Sequence, residues 1–486
     1  MCDNILIKGA FKKRRRLYQG GKSMTRKRIL SLLLALVMVL MVFTACSNSK
    51  DPDKTASTTP ATSAPASETT PSDPGYNGYE FILANPGSAF VTDPTNELEE
   101  ELKSIYDSLE SELNVTFSAI QLDSPDVALI TGGVAGDKIA DFVRCNQKAW
   151  VPAAVKNAIR PLNTPEILET GLNVNDENMF DQVYTQLANI HDGNIWGCEM
   201  SGKYYITGIG FTYVFNKPLL EKNGYPAETI YNKVRNYEWT WDYFMEIAAK
   251  VTNDTDGDGQ NDIWGQTMVD IESELESNGI GLMYFNEETN KWTSGFATPQ
   301  LVEALQFVLT IATDPQYSLV EAPDNNYRRQ VFYEGRAAFG CLYGGHYGKD
   351  GANARCEFDY GIVPIPKGPR ADKYSYVIPD LTVFTLQTTN KDWKTSCEIM
   401  AKLASKLTDK EEARKILRSY LRDDESLEVL EDYCFPGARI QATRFSNDIK
   451  AALDSAAELV VQVRPASAVE TVHNSIQAAI DSLFGY

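Results

Sequence analysis

From Tyr79 onward short apolar runs alternate with segments of helical period, and this alternation narrows the possible folds more than any other feature of the chain. Tyr79 to Leu83 reads as a buried strand. Leu98, Leu102, Ile105, Tyr106, Leu109 and Leu113 then recur at helical spacing with Glu between them. Val115 to Ile120 reads as the next strand, Asp126 to Val134 as a helix and Ile139 to Arg144 as a strand. Such alternation predicts a parallel α/β sheet, and ligands of such sheets bind beyond the carboxyl ends of the strands. That places Asn85 and Ser88, and Cys145-Asn146-Gln147, on one rim. Further strands are predicted at 211–216, 337–342 and 360–364, and helices at 217–223, 241–251, 299–313 and 325–334. From Asp392 on the pattern is almost wholly helical, and no internal repeat is visible.

Ahead of this region Arg26, Lys27 and Arg28 precede an apolar run from Leu30 that closes at Ala45-Cys46. This is the pattern of a secretory signal with a small-residue cleavage site. A Cys directly after the Ala marks the lipoprotein form, in which the Cys46 thiol takes lipid and residues 24–45 are removed. The alternative is an uncleaved spanning helix, but the run falls short of the roughly 20 residues needed. Residues 1–23 read as an extension ahead of the natural start at Met24. The alternative there is a basic nucleic-acid patch at 12–16. From Thr55 to Ser72 every residue except Glu68 is Thr, Ser, Ala or Pro, too little apolar surface to offset the entropy of ordering. Residues 46–75 are thus expected to be a disordered tether that holds an extracytoplasmic domain near a membrane.

The chain has a formal net charge of −20. Residues 1–45 carry ten Lys and Arg against one acid, a net +9, so removing them leaves −29. So acidic a surface argues against nucleic acid as a partner. Six cysteines follow Cys46, at 145, 198, 341, 356, 397 and 434. None forms a C-x-x-C pair, which argues against structural zinc. Cys341 and Cys356 are the pair nearest in sequence for a bridge.

Asp254, Asp256, Asp258, Gln260 and Asp262 alternate along a tight Asp/Gly loop. Hard oxygen donors so arranged suit Ca²⁺, and Gly259 falls where an EF-hand loop turns sharply. The twelfth position is Gly265 rather than a bidentate Glu, so a structural Ca²⁺ site is weighed against a plain polar turn. Only three His exist, at 191, 346 and 473, and no G-x-S-x-G, H-E-x-x-H or phosphate loop is present.

Several segments, in order and spacing, carry a family resemblance. Ala135-Gly136-Asp137 with Ala140-Asp141-Phe142-Val143 resembles a G-D-x-P-D-V-V strand approach, with Ala140 in place of Pro. Asp192-Gly193-Asn194-Ile195-Trp196-Gly197 is similar to D-G-K-I-Y-G. Tyr213-Val214-Phe215-Asn216-Lys217 ends in a Y-N-K pattern, with Phe for Tyr. Trp239-Thr240-Trp241-Asp242-Tyr243-Phe244 resembles P-x-T-W-D-E-F, and Gly335-Arg336-Ala337-Ala338-Phe339 resembles G-K-A-A-M. Asp359-Tyr360-Gly361-Ile362 leading to Pro364-Ile365-Pro366-Lys367-Gly368 resembles D-Y-G-x-x-P-x-P-K-G. Over nearly all of 76–486 the chain resembles the extracellular solute-binding proteins of ABC importers, in the maltose-binding-like group.

The resemblance implies a two-lobed α/β fold of the periplasmic-binding-protein type II class, each lobe a mainly parallel sheet flanked by helices, with a hinge between. It places lobe one at 76–195 with 370–412 and lobe two at 208–363 with 413–486. It implies a carbohydrate ligand, no enzymatic activity, membrane permease subunits as partners, a lipid anchor on Cys46 at the extracytoplasmic face of a cell membrane, and a monomer. Sugar sites need flat rings and fixed polar groups. Position in the expected fold selects Trp150, Trp196, Tyr343, His346 and Tyr347 for the rings, with core packing as the alternative for each Trp. It selects Asn85, Arg144, Asn146 and Asp380 for the polar contacts. Arg144 also fits a salt-bridged strand end, Asp380 a helix cap and Asn85 an ordinary turn. A peptide or polyamine ligand on the same fold, a surface polysaccharide-acting enzyme, and a sensor for a membrane kinase remain as other readings.

Overall fold

The computed structural model describes residues 75–486 except 206, 207, 349, 463 and 464. The signal at 24–45, the lipidation at Cys46, the extension 1–23 and all but the last residue of the tether lie outside the described residues.

The first sheet grows from β1 (Tyr79–Ala84), α1 (Glu97–Leu113), β2 (Val115–Ile120), α2 (Pro125–Ala135), β3 (Phe142–Cys145), α3 (Gln147–Val155) and β4 (Ile159–Arg160). Helix α1 starts where the Asn96 side chain accepts the Glu99 N–H, while the Glu99 carboxylate accepts the Thr95 N–H. It buries Leu102, Tyr106, Leu109 and Leu113. β3 begins three residues later than the apolar run suggests. The buried Asp141 carboxylate accepts the Ile82 N–H at 2.7 Å, and the Ile139 N–H donates to the Gln387 side chain at 2.8 Å. Side chains there take the place of ladder bonds.

The second sheet and its surroundings follow as β5 (Thr212–Asn216), α4 (Trp241–Val251), β6 (Trp264–Gln266), α5 (Ile271–Glu276), β7 (Met283–Asn286), β8 (Lys291–Ser294), α6 (Pro299–Thr313), α7 (Asn325–Tyr333), β9 (Ala337–Leu342) and β10 (Tyr360–Val363). After them come β11 (Tyr376–Ile378), β12 (Val383–Gln387), α8 (Trp393–Leu407), β13 (Ala438–Ile440), α9 (Asn447–Gln462) and α10 (Pro465–Phe484). β13 interrupts the helical character expected after Asp392.

The first sheet has strand order β2-β1-β3-β12-β4 and the second β10-β5-β9-β6. β1 pairs parallel with β2 and β3, while β12 runs antiparallel to β3 and β4. In the second sheet only β6 and β9 pair parallel, and β5 is antiparallel to both its neighbours. Both sheets are therefore mixed, where the strand–helix alternation leads one to expect mainly parallel pairing. The reason is connectivity: β12 and β10 enter their sheets from distant parts of the chain and run against the strands they join.

Two stretches run side by side between the sheets. Cys198 and Phe384 exchange backbone hydrogen bonds at 3.0 and 2.7 Å, and the Phe211 N–H donates to Val377 O at 3.0 Å. Gly210 packs so closely here that a Cβ would lie 2.6 Å from Val377 O, and its N–H donates to the Tyr376 hydroxyl. The core of the second sheet gathers Tyr213, Trp239, Phe244 and Phe339, and Trp241 stacks on Phe307 with centroids 4.4 Å apart. The six described cysteines are buried and none is in a disulfide, so the expected Cys341–Cys356 bridge does not form. Cys341 lies inside β9, whereas Cys356 caps a separate short helix.

Candidate functional site

The carboxyl end of β3 delivers Arg144 and Asn146 to the rim. Arg144 Nε donates to Glu199 Oε2 at 2.7 Å, and the guanidinium lies over the rings of Tyr205 and Phe384, 5.4 and 5.9 Å from their centroids. Glu199 is buried, and its other oxygen accepts the Met200 N–H. Burial pushes the Glu199 carboxyl up to about 7 against the pull of Arg144, whose own guanidinium is held charged by that carboxylate. The Arg144 side chain remains 25% exposed, and Nη1 would lie 3.7 Å from a Cβ on Gly87 in the loop after β1. Its Nη donors make no hydrogen bond to another described residue.

β12 begins beside the end of β3, and this brings Asp380 to the same rim. Asn146 Nδ2 donates to Asp380 Oδ1 at 3.5 Å, and Arg444 Nη1 lies 2.5 Å from the same oxygen. The stretch from Pro379 to Leu381 is stitched to α3. Gln147 Nε2 donates to Pro379 O at 2.9 Å, and Gln147 Oε1 accepts the Leu381 N–H at 2.9 Å. Trp150 Nε1 donates to Leu381 O at 3.3 Å. From Arg444 the polar contacts continue through Gln441 Oε1 at 2.8 Å towards Glu272, which accepts the Thr443 hydroxyl at 2.6 Å.

The second sheet offers the loops after its parallel pair β6 and β9. Tyr343 and His346 are half-buried there. Tyr343 packs 4.7 Å from Phe211 and 4.6 Å edge-on to His346. Burial, with Arg329 adding to it, holds His346 down at about 4, and its Nδ1 is buried without a hydrogen-bond partner among the described residues.

Three expected ring contacts are core residues instead. Trp150 is fully buried, because α3 turns that face onto the start of β12. Tyr347 is fully buried with its hydroxyl 2.6 Å from Thr212 Oγ1. Trp196 is 5% exposed, its indole N–H donating to the Asp192 carboxylate of the preceding turn. Asn85 adopts φ 55° and accepts the Leu122 N–H at 2.7 Å, so its side chain closes the end of β2. Arg144, Asn146 and Asp380 are thus the polar picks that reach the rim. Glu199, Tyr205, Arg444 and Gln441 were not evident from the chain alone. Only Glu199 carried a signal, as a single acid inside the apolar run from Ile195 to Met200.

On the acidic loop, one oxygen from each of Asp254, Asp256 and Asp262 lies within 4.8 Å of the others. Asp254 also accepts the Gly259 and Gly257 N–H groups, and Asp262 the Thr255 hydroxyl and N–H, and these bonds hold both carboxyls below the usual range. Asp258 is not part of this carboxylate cluster. Asp258 accepts both the Gln260 N–H and its side-chain amide, which turns the pair on itself. Three carboxylates of the loop therefore converge closely enough to face one cation.

No family model and no curated protein sequence matches the chain. Solved structures do. UspC of M. tuberculosis is 13% identical with a TM-score of 0.58, over 82% of this chain and 100% of that one. The cyclic α-maltosyl-1,6-maltose binding protein of Arthrobacter globiformis is 16% identical with a TM-score of 0.55, over 84% and 100%. An ABC substrate-binding protein from Listeria monocytogenes, solved with cycloalternan, is 18% identical with a TM-score of 0.51, over 84% and 100%. The chain therefore has the two-lobed periplasmic-binding-protein-like fold. Among the described residues no helix is long and apolar enough to cross a membrane.

Proposed function

We propose that the protein is the solute-binding component of an ABC importer and that it captures a neutral carbohydrate between its lobes. The observation that carries this is the state of the rim arginines. Arg144 is paired with Glu199 and Arg444 with Asp380, so the rim presents fixed donors without spare positive charge. Such a surface suits hydroxyl groups rather than an anion, because an anionic solute would have to compete with a carboxylate already in place. Tyr343 supplies a half-buried ring at the edge of the second sheet. The cycloalternan complex and the maltosyl-maltose binding protein among the similar structures support the same reading.

Lobe one is assigned to 76–195 with 370–412 and lobe two to 208–363 with 413–486. The lobes close on solute because each contributes contacts only in the closed form. The closed form docks on permease subunits, and the work is capture rather than catalysis. The chain acts as a monomer, anchored outside a cell membrane by lipid on Cys46.

A thermal-shift screen against neutral oligosaccharides, uronic-acid oligosaccharides, peptides and polyamines tests the proposal, since a ligand of the folded state raises the melting point. A shift with a neutral glycan that is recovered intact is expected. A shift with a control class alone would discard the carbohydrate assignment, and cleavage of the glycan would replace binding by hydrolysis.

We infer as well that the Asp254–Asp262 loop takes a structural Ca²⁺ through Asp254, Asp256 and Asp262. Three converging carboxylates on a Gly-containing turn suit that ion.

A further inference from the structure

The hairpin β7–β8 carries an aromatic cluster outside the rim. Trp292 on β8 stacks on Phe484 with centroids 5.6 Å apart. His191, Phe285 and Phe445 meet the indole edge to face at 5.0, 5.9 and 6.0 Å. The His191 ring lies flat against Phe285, 5.1 Å away and 7° from parallel.

These rings stand on two bodies. The turn that holds His191 is fastened beside the first sheet. Just after β4 the Leu162 N–H donates to Ile195 O at 2.7 Å, and Asn163 donates to Gly193 O and accepts the Ile195 N–H. His191 itself adopts φ 61°, with its N–H donating to Asn189 Oδ1 at 3.1 Å. The hairpin is fastened beside the second sheet. The Leu282 N–H donates to Glu276 on α5, and the Gly295 N–H to Leu282 O at 2.9 Å. Helix α10 is bound to β8 in turn. Gln477 accepts the Ser294 N–H at 2.9 Å and donates to Trp292 O at 3.3 Å, while the Trp292 N–H donates to the Tyr486 hydroxyl at 3.1 Å. Between turn and hairpin the joint is slender. It consists of the His191 ring contacts and, among the described residues, one hydrogen bond, from Trp292 Nε1 to Ile190 O at 3.2 Å.

We propose that this joint is a latch between the lobes: Ile190 and His191 sit on Trp292 and Phe285 while the rims are together and leave them when the lobes part. The proposal rests on the two-lobed motion described above and not on the identity of the solute. Phe445 connects the joint to the rim, because it packs on Trp292 and follows Arg444, which meets Asp380. A rotation that parts Arg444 from Asp380 therefore carries Trp292 away from the turn. Helix α10 on α3, and the helix Gln182–Leu187 on β13, cross the same seam. The latch adds to these contacts, so its loss shifts a balance rather than freeing the lobes. A few ring pairs are enough to bias two arrangements of similar free energy.

Pulsed dipolar spectroscopy of the whole chain without solute tests the proposal. Spin labels are coupled through non-natural side chains at two exposed positions, Ser111 on α1 and Lys222 in the helix after β5. In His191→Ala the distance distribution should move to longer values by several ångströms relative to the wild type. In Tyr486→Phe, which cuts a bond between hairpin and C-terminus and leaves the turn in place, it should not move. A His191→Ala distribution equal to the wild type or shifted to shorter values would overturn the latch, as would an equal opening in Tyr486→Phe. His191 is exposed, so its truncation should leave the fold intact. Should it not, Phe285→Leu takes its place with the same expectations. No solute enters the measurement, so a failed glycan screen leaves its outcome as decisive as before.

Discussion

Arg444 Nη1 lies 2.5 Å from Asp380 Oδ1, and that same oxygen accepts Asn146 Nδ2 at 3.5 Å. One carboxylate thus gathers three parts of the chain at the carboxyl end of β3. Asp380 and Arg444 are both partly exposed, so the pair itself adds little to folding, about 0–1 kcal/mol. Its value is in position. Asp380→Asn should leave the urea midpoint almost unchanged while weakening binding of the glycan found by the screen about tenfold, ~1.4 kcal/mol. Calorimetric titration with that glycan checks this, and unchanged affinity would remove Asp380 from the rim contacts.

Arg144 and Glu199 behave differently because the acid is buried. Removing the arginine leaves a carboxylate with no cation in a dry slot, which typically costs about 3–5 kcal/mol. Arg144→Ala should therefore lower the denaturation midpoint strongly, and Arg144→Ala combined with Glu199→Gln should recover part of the loss. If the double variant is as unstable as the single one, the ion pair is not what the slot depends on.

Trp150 and Tyr347 separate packing from binding. Trp150→Ala should cost about 3–5 kcal/mol of stability, since it empties a fully buried site. Tyr347→Phe should cost about 1 kcal/mol through the lost bond to Thr212. Neither should change glycan affinity per folded molecule, and a selective loss of affinity in Tyr347→Phe would return that ring to the site.

The outline of the fold was legible because local period and burial agree. The strand 337–342 and the helices 241–251 and 299–313 run between the residues their patterns indicate. β3 was misplaced because Asp141 and Gln387 settle the backbone there through side chains 246 positions apart, which no local window contains. The site was half legible for a related reason. Rim position follows from strand ends, so Arg144, Asn146 and Asp380 could be named. Their partners Glu199 and Arg444 are long-range pairings without a period. Trp150 and Tyr347 misled because a helix face or a loop ring looks alike in sequence whether it meets solute or core.

The acidic loop gives a prediction that does not involve the cleft. Asp254, Asp256 and Asp262 converge, so Ca²⁺ bound only by the folded chain raises its melting temperature by mass action. Chelator should lower the melting temperature of the wild type by several degrees and leave Asp262→Asn unaffected. A chelator effect equal in both proteins would place the ion elsewhere.

His346 sets the last expectation. Burial and then Arg329 hold it at about 4, below the ordinary imidazole value of 6.5, so the folded chain keeps it neutral while the unfolded chain takes a proton. Between those values the unfolded state binds more protons, and stability falls as pH falls from about 6.5 towards about 4. Glu199, Glu272 and Glu276 act in the opposite sense, because their raised carboxyls favour the folded chain on the acid side. A melting curve of the wild type alone mixes the two, so the informative quantity is its difference from His346→Gln. That difference should move against the wild type by several degrees as pH falls over this interval and stay flat above it. A constant difference would mean that the His346 ring opens to water and protonates in place without cost to the fold.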